Sequence, residues 1–174
     1  MDHEALSPAH PEADPYLALA CSLTESGIVS DPWIDGRARF RPVQHRDPAE
    51  LPDSQYPYYL STGRNRSHYQ SGAQTRRVRA LVTAEPDAFV ELHPELARRV
   101  GVGPGDFVRL DTRRGSAVLR ARLTEDIRSD TVFVPFHWSG QATANALTNP
   151  VLDPVSRMPE FKACAVAVSS VDRL

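Results

Sequence analysis

Strict alternation is clearest between Ser116 and Leu123. Ala117, Leu119, Ala121 and Leu123 share one face, and Arg120 and Arg122 share the other, the signature of a half-buried strand. Phe107 to Thr112 alternates in the same way, and Arg114-Gly115 between the two runs marks a hairpin. Ala88 to Leu92, Val132 to Val134 and Ala163 to Ser169 are further strands, rich in β-favouring residues. Tyr58 to Leu60 starts like a strand and breaks at Gly63. Arg79 to Thr83 reads as a short extended piece. One helical pattern is definite: Pro94 suits a first helical position, Leu96, Ala97 and Val100 share a face, and Gly101 ends it. Ala142 to Leu147 reads as one or two helical turns. Six or seven short, closely spaced strands favour a small closed barrel, because closure removes the edges of the sheet.

The first third of the chain has a different texture. Residues 1–15 are rich in Pro, Asp and Glu and read as disordered. Tyr16 to Leu23 has the composition of a short helix. Ser30 to Trp33 and Asp35-Gly36 read as turns, and Arg37 to Phe40 as a short strand. Pro42 to Pro57 contains four prolines and reads as an extended linker. The expected organisation is an irregular arm over residues 1–55 and a folded body over 56–174.

Composition narrows the function classes. The chain has 174 residues, 41% hydrophobic and 24% charged, and a net charge of -2, which argues against a general polyanion binder. The charge is uneven. Residues 1–53 hold ten acids and four arginines, whereas residues 54–84 contain arginine and no acid. Cys21 and Cys164 lack metal or redox spacing. No apolar run approaches the ~20 residues of a membrane span. The start, Met-Asp-His-Glu, lacks the basic and apolar regions of a signal peptide, so a soluble cytoplasmic location is expected.

The acid-free window contains the first candidate site. After Thr62-Gly63-Arg64, the side chains of Arg66, His68, Gln70, Ser71, Gln74 and Thr75 all offer hydrogens, and Arg76, Arg77 and Arg79 follow. A strand running into a glycine turn with uncompensated positive charge suits a phosphate-bearing ligand, although the spacing is neither a Walker loop nor a dinucleotide fingerprint. His137 and Trp138, at a strand exit, can line a pocket or sit in the core. Asn145 to Pro150 either stops a helix or presents Asn145 to the edge of a heterocycle. Lys162, the only lysine, follows Asp153-Pro154-Val155-Ser156 and can reach a phosphate or remain solvated. No nucleophile elbow accompanies the Ser, His and Asp residues, so no catalytic residue is assigned. The spacing of His68, His93 and His137 supports no metal site.

Together these segments resemble the C-terminal cofactor-binding domain of the molybdopterin oxidoreductases, in the nitrate reductase and formate dehydrogenase branch. The resemblance rests on Thr62-Gly63-Arg64 followed by His68-Tyr69-Gln70-Ser71-Gly72 and Thr75. It continues through His93 to Ala97, Gly101 to Val108 and Arg114-Gly115, and then through Asn145 to Thr148, Asp153 to Ser156 and Phe161 to Val166. It covers about residues 56–169. It implies a mainly β fold, a six-stranded double-psi β-barrel with one or two short helices. It implies a molybdopterin guanine dinucleotide cofactor carrying molybdenum or tungsten. Thr62, Gly63, Arg64, Asn65, Arg66, Ser67, His68, Tyr69, Gln70, Ser71 and Thr75 would wrap one dinucleotide arm. Asn145 and Lys162 would contact the pterin or its phosphates, and His137 would face substrate. Tyr69 and Gln70 depart from the family's usual Trp and His.

Nothing in the chain matches the family's iron–sulfur cysteines or its metal-ligand region, so no iron–sulfur cluster is expected here and the remaining catalytic domains or subunit are expected partners. A double-psi adaptor module without the cofactor is the alternative reading. Single-stranded nucleic acid is a further one, and the small size of the basic patch and the absence of a recognition signature argue against it.

Overall fold

The computed structural model describes residues 44–154 and 156–171, and the chain from Arg46 onward forms one compact unit. The disordered segment, the Tyr16 to Leu23 helix, the turns around residues 30–36 and the Arg37 to Phe40 strand expected from the sequence lie outside the described residues.

Six strands close into a barrel: β1 (Tyr58–Gly63), β2 (Phe89–Leu92), β3 (Phe107–Asp111), β4 (Ser116–Leu123), β5 (Thr131–Pro135) and β6 (Cys164–Ser170). Around the barrel the order is β1-β5-β2-β4-β3-β6. Two pairs are parallel, β1 with β5 and β2 with β4, and the other pairs are antiparallel. This is the mainly β, six-stranded double-psi order expected from the resemblance. The alternation read in β4 holds: Ala117, Leu119 and Ala121 are buried, and Val118, Arg120 and Arg122 are exposed. Leu60, Val90, Leu92, Val108, Leu110, Val132, Val134 and Val166 complete the interior at 0% exposure. Burying each such side chain contributes roughly 1.5–3 kcal/mol before the entropy of ordering is set against it.

Two short α-helices accompany the barrel. In α2 (Pro94–Val100), Pro94 opens the first turn, the Nδ1 of His93 accepts from the Glu95 N–H at 3.2 Å, and Gly101 ends the helix at φ 71°. Leu96 and Ala97 are its buried face.

The other helix corrects the sequence reading. Arg79 to Thr83 is not extended: it forms α1 (Arg79–Ala84). Leu81 and Val82 N–H groups both donate to the Val78 carbonyl at 3.1 Å, and Glu85 N–H donates to Leu81 O at 3.1 Å. Ala80, Leu81 and Ala84 favour helix, and a run this short gives periodicity too little length to decide. Strand β1 ends where the sequence breaks, at Gly63. It continues that far because Tyr59 to Gly63 pairs in register with Thr131 to Pro135. Gly63 serves packing: a Cβ there would lie 2.6 Å from Cε2 of the Phe133 ring.

The segment before β1 has neither helix nor strand, yet it is docked. Glu50, with a side chain 11% exposed, accepts from the Ala165 N–H at 2.7 Å and from Nη2 of Arg114 at 3.0 Å, and its other oxygen pairs with Nη1 of Arg114. Arg114 also donates to the Leu147 carbonyl through Nη2 at 2.9 Å. Burial opposes ionisation of Glu50. The hydrogen bonds from Arg114 and Ala165, with the charge of Arg113, outweigh it and hold the carboxyl below its ordinary value.

Candidate functional site

Strand register gathers the candidate segments at one end of the barrel. Strands β1 and β5 both finish there, at Gly63 and Pro135. Strand β6 starts there, opposite Leu60, and the β3–β4 hairpin turns there between Asp111 and Ser116. The loop after β1, the His137–Trp138 exit, the Asn145 segment and Lys162 therefore all emerge at this end, and His93 with α2 lies at the other.

The loop after β1 is shaped by its own side chains. Asn65 Oδ1 accepts from the N–H groups of Ser67, at 3.1 Å, and His68, at 2.9 Å, closing an Asx turn. His68 is 5% exposed. Its Nε2 lies 2.8 Å from the Glu85 carbonyl, to which it must donate, and its Nδ1 lies 3.1 Å from Thr75 Oγ1. Gln70 occupies the left-handed region at φ 48°. Thr62 is buried, and its hydroxyl donates to the Phe161 carbonyl at 2.8 Å, tying the end of β1 to the residue before Lys162.

His137 lies beneath the loop at 1% exposure. Its Nε2 accepts from the Asn65 N–H at 2.9 Å, and its Nδ1 faces the Gln70 carbonyl at 2.5 Å. Burial lowers its pKa, the hydrogen bond to Gln70 raises it, and the charges of His68, Arg76 and Arg64 lower it further; the net shift is downward. Arg76 donates to the His137 carbonyl and lies 5.5 Å from the Trp138 ring centroid. Trp138 meets His68 edge-on at 5.2 Å. The ring of Trp138 thus caps the anchored side of the loop.

The predicted residues fall into two sets. Thr62, His68, Thr75 and His137 point into the protein and spend their polar atoms shaping the loop. Arg64, Arg66, Tyr69, Gln70, Ser71, Asn145 and Lys162 are exposed. Asn65 and Ser67 lie between the two, half-buried: Asn65 Oδ1 is engaged, and its Nδ2 is buried without a hydrogen-bond partner. Ala146, next to Asn145, presses its carbonyl toward Gly115, where a Cβ would lie 3.0 Å away. Asp153 closes an exposed turn, accepting from Ser156 N–H at 2.6 Å. Sequence reasoning noted Arg76 only as one of several arginines, and it missed the Glu50–Arg114 clip under the Asn145 segment; a lone Glu in a proline-rich stretch carries no signal.

Charge pairing is uneven across the molecule. Several arginines pair with carboxylates, Arg109 with Asp111, Arg113 with Asp53, Arg122 with Glu85 and Arg128 with Asp130, whereas Arg98 and Arg120 donate to backbone carbonyls. Among the described residues Arg64, Arg66, Arg77, Arg79 and Lys162 form no such pair. Clefts of about 520 and 290 Å³ lie instead along β4, lined in part by Glu85, Asp87 and Arg120. Phe89 and Leu123 also line the larger cleft, and Phe107 and Trp138 the smaller.

The family model described as "Molydopterin dinucleotide binding domain" matches residues 58–165. An F420-dependent formate dehydrogenase subunit alpha of Methanocaldococcus jannaschii is 42% identical over 137 residues, 79% of this chain and 20% of that protein. The assimilatory nitrate reductase catalytic subunit of Bacillus subtilis is 44% identical over 121 residues, 70% of this chain and 17% of that protein. The chain thus spans about a fifth of the length of the curated relatives it matches. The solved acetylene hydratase from Pelobacter acetylenicus superposes with a TM-score of 0.59 over 67% of this chain and 19% of that one, at 21% identity, a likeness of fold.

Proposed function

Because the chain belongs to the molybdopterin dinucleotide-binding domain family, we propose that its loop end holds one guanine dinucleotide arm of a molybdenum or tungsten cofactor, as part of a nitrate-reductase- or formate-dehydrogenase-like oxidoreductase. The observation that carries this reading is that Arg64, Arg66, Arg77, Arg79 and Lys162 form no ion pair among the described residues, around a loop whose buried Thr62 and His68 are hydrogen-bonded within the protein. The donor set fits the group. Exposed guanidinium forks match phosphate oxygens, the orphaned Nδ2 of Asn65 seeks an acceptor, and exposed Tyr69 offers a stacking face.

The bound group would supply the two-electron chemistry. This chain's residues do the rest of what the site needs. Thr62 fixes the end of β1 against Phe161, and His68 and Thr75 hold the turn. Arg64, Arg66 and Lys162 neutralise the diphosphate, and Asn145, seated on the β3–β4 hairpin, offers a donor and an acceptor to a heterocycle edge. We place this binding barrel at residues 56–174, preceded by the arm of residues 1–55. The remaining catalytic domains, in the same chain or a partner subunit, supply the other walls of the cleft, in a cytoplasmic setting. Among the described residues no helix is long and apolar enough to cross a membrane.

A titration of the 174-residue chain with guanosine diphosphate, followed by calorimetry, tests the reading. Binding should be weak and salt-dependent, and the double variant Arg64→Gln/Arg66→Gln should weaken it by about tenfold or more. Equal affinity in the double variant, or displacement of the nucleotide by a short single-stranded oligonucleotide at far lower concentration, would sink it. A double-psi adaptor without the cofactor predicts no nucleotide binding at all.

A further inference from the structure

His137 stands where the sequence resemblance implies a substrate contact, yet both of its ring nitrogens are engaged by the loop. The geometry points to a different role: His137 is a positioning residue, a neutral latch that holds the Asn65–Gln70 segment from beneath and lets it go on protonation. This inference rests on the proposed function only in saying what the held loop is for.

The tautomer follows from the partners. A carbonyl accepts and cannot donate, so the Nδ1 facing Gln70 O carries the hydrogen. A backbone N–H donates and cannot accept, so the Nε2 facing Asn65 N–H bears the lone pair. A doubly protonated imidazole has no lone pair for Asn65. Protonation therefore sets two N–H groups against each other at a separation of 2.9 Å, in a place 1% exposed where water cannot relieve the clash. The titratable and charged groups that face the ring are His68, with its centroid 6.0 Å away, Arg76, which donates to the His137 carbonyl, and Arg64. None is a carboxylate, so among these neighbours only the Gln70 carbonyl favours the cation, and burial with the surrounding positive charge outweighs it.

The two latched atoms bracket the segment. Asn65 is the residue after Arg64, and its side chain makes the Asx turn. Gln70 is a non-glycine residue at φ 48°, a left-handed conformation that persists only where its surroundings hold it. The hydrogen bond from Nδ1 to its carbonyl is such a restraint. Latching Asn65 N–H and Gln70 O together fixes the backbone from which Arg64 and Arg66 project.

The latch can be tested with no ligand present. In the wild-type chain, long-range nitrogen–proton spectra of His137 should show Nδ1 protonated and Nε2 bare at neutral pH; a proton on Nε2 would overturn the assignment. The amide protection factor of Asn65 should fall at least tenfold in His137→Leu and stay within threefold of wild type in His137→Gln, whose side chain offers one donor and one acceptor. In wild type that protection should be lost as pH drops through the lowered histidine pKa. Equal protection in wild type and His137→Leu, or equal loss in both variants, refutes the latch. The nucleotide titration separates the two ideas. If wild type fails to bind guanosine diphosphate, the proposed ligand falls while the latch remains measurable. If wild type binds, His137→Leu should weaken affinity about tenfold with restoration in His137→Gln, and unchanged affinity in His137→Leu refutes the positioning role.

Discussion

Replacing Glu50 by Ala strips three hydrogen bonds and a charge from a junction that joins four distant parts of the chain. The carboxylate binds Arg114 through both oxygens, accepts from Ala165 N–H at 2.7 Å and lies 3.4 Å from Arg113. Arg114 in turn anchors the Leu147 carbonyl, two residues beyond Asn145. Side-chain exposures of 11% for Glu50 and 22% for Arg114 put the pair between a surface bridge, worth under about 1 kcal/mol, and a buried one, whose breaking costs about 3–5 kcal/mol. The half-exposed Arg113 contact adds little. A loss of about 3 kcal/mol is therefore expected, which for a domain of this size lowers Tm by roughly 10 °C. Glu50→Gln retains the bond from Ala165 and should lose about half as much. The assay is thermal unfolding by circular dichroism across pH. The folded-state pKa of Glu50 is depressed, so its contribution is complete above the ordinary carboxylate value and is lost as pH falls through the depressed one. Wild type and Glu50→Gln should thus converge at strongly acid pH. A Tm change below 2 °C in Glu50→Ala at pH 7 would show that the segment before β1 is not held by this pair.

Three other substitutions probe the remaining features. Gly115→Ala forces a methyl group toward the Ala146 carbonyl at 3.0 Å and should cost about 1–3 kcal/mol in urea unfolding, with amide shifts concentrated at Ala144 to Leu147. Glu91→Gln should raise Tm at pH 7. Burial holds the Glu91 carboxyl above its ordinary value, Arg122 opposes this, and Asp126 and Glu85 add to it, so the favourable contribution exists at low pH and is lost as pH rises through the raised value; the gain over wild type should vanish in acid. Arg76→Gln removes the donor to His137 O and the cation beside Trp138. In a Trp33→Phe background, which leaves Trp138 as the reporter, its emission should shift to the red, and an unchanged spectrum would contradict the packing.

The sequence by itself determined the elements whose cause is local. Alternation in β4 and β3, the Arg114-Gly115 turn and the Pro94-to-Gly101 helix each rest on neighbours two to four residues apart, so the pattern displays them directly. Local reading also found the acid-free, donor-rich loop, because charge and donor count need no partner to be visible. Tertiary structure alone decided what depends on partners far along the chain. The break at Gly63 was legible, but its reasons were not: β5, some seventy residues later, supplies the hydrogen bonds of β1, and Gly63 makes room for Phe133. Arg79 to Ala84 is helical though its short run could not declare a period. Glu50 has no motif around it; its partners are Arg114 and Ala165. His137 shows the limit most sharply. Its residue type and place at a strand exit favour a core or rim position over a pocket lining, and only the resemblance implies a substrate contact. Which way an imidazole serves depends on what faces its two nitrogens, and here those groups belong to Asn65 and Gln70, brought to it only when the barrel closes.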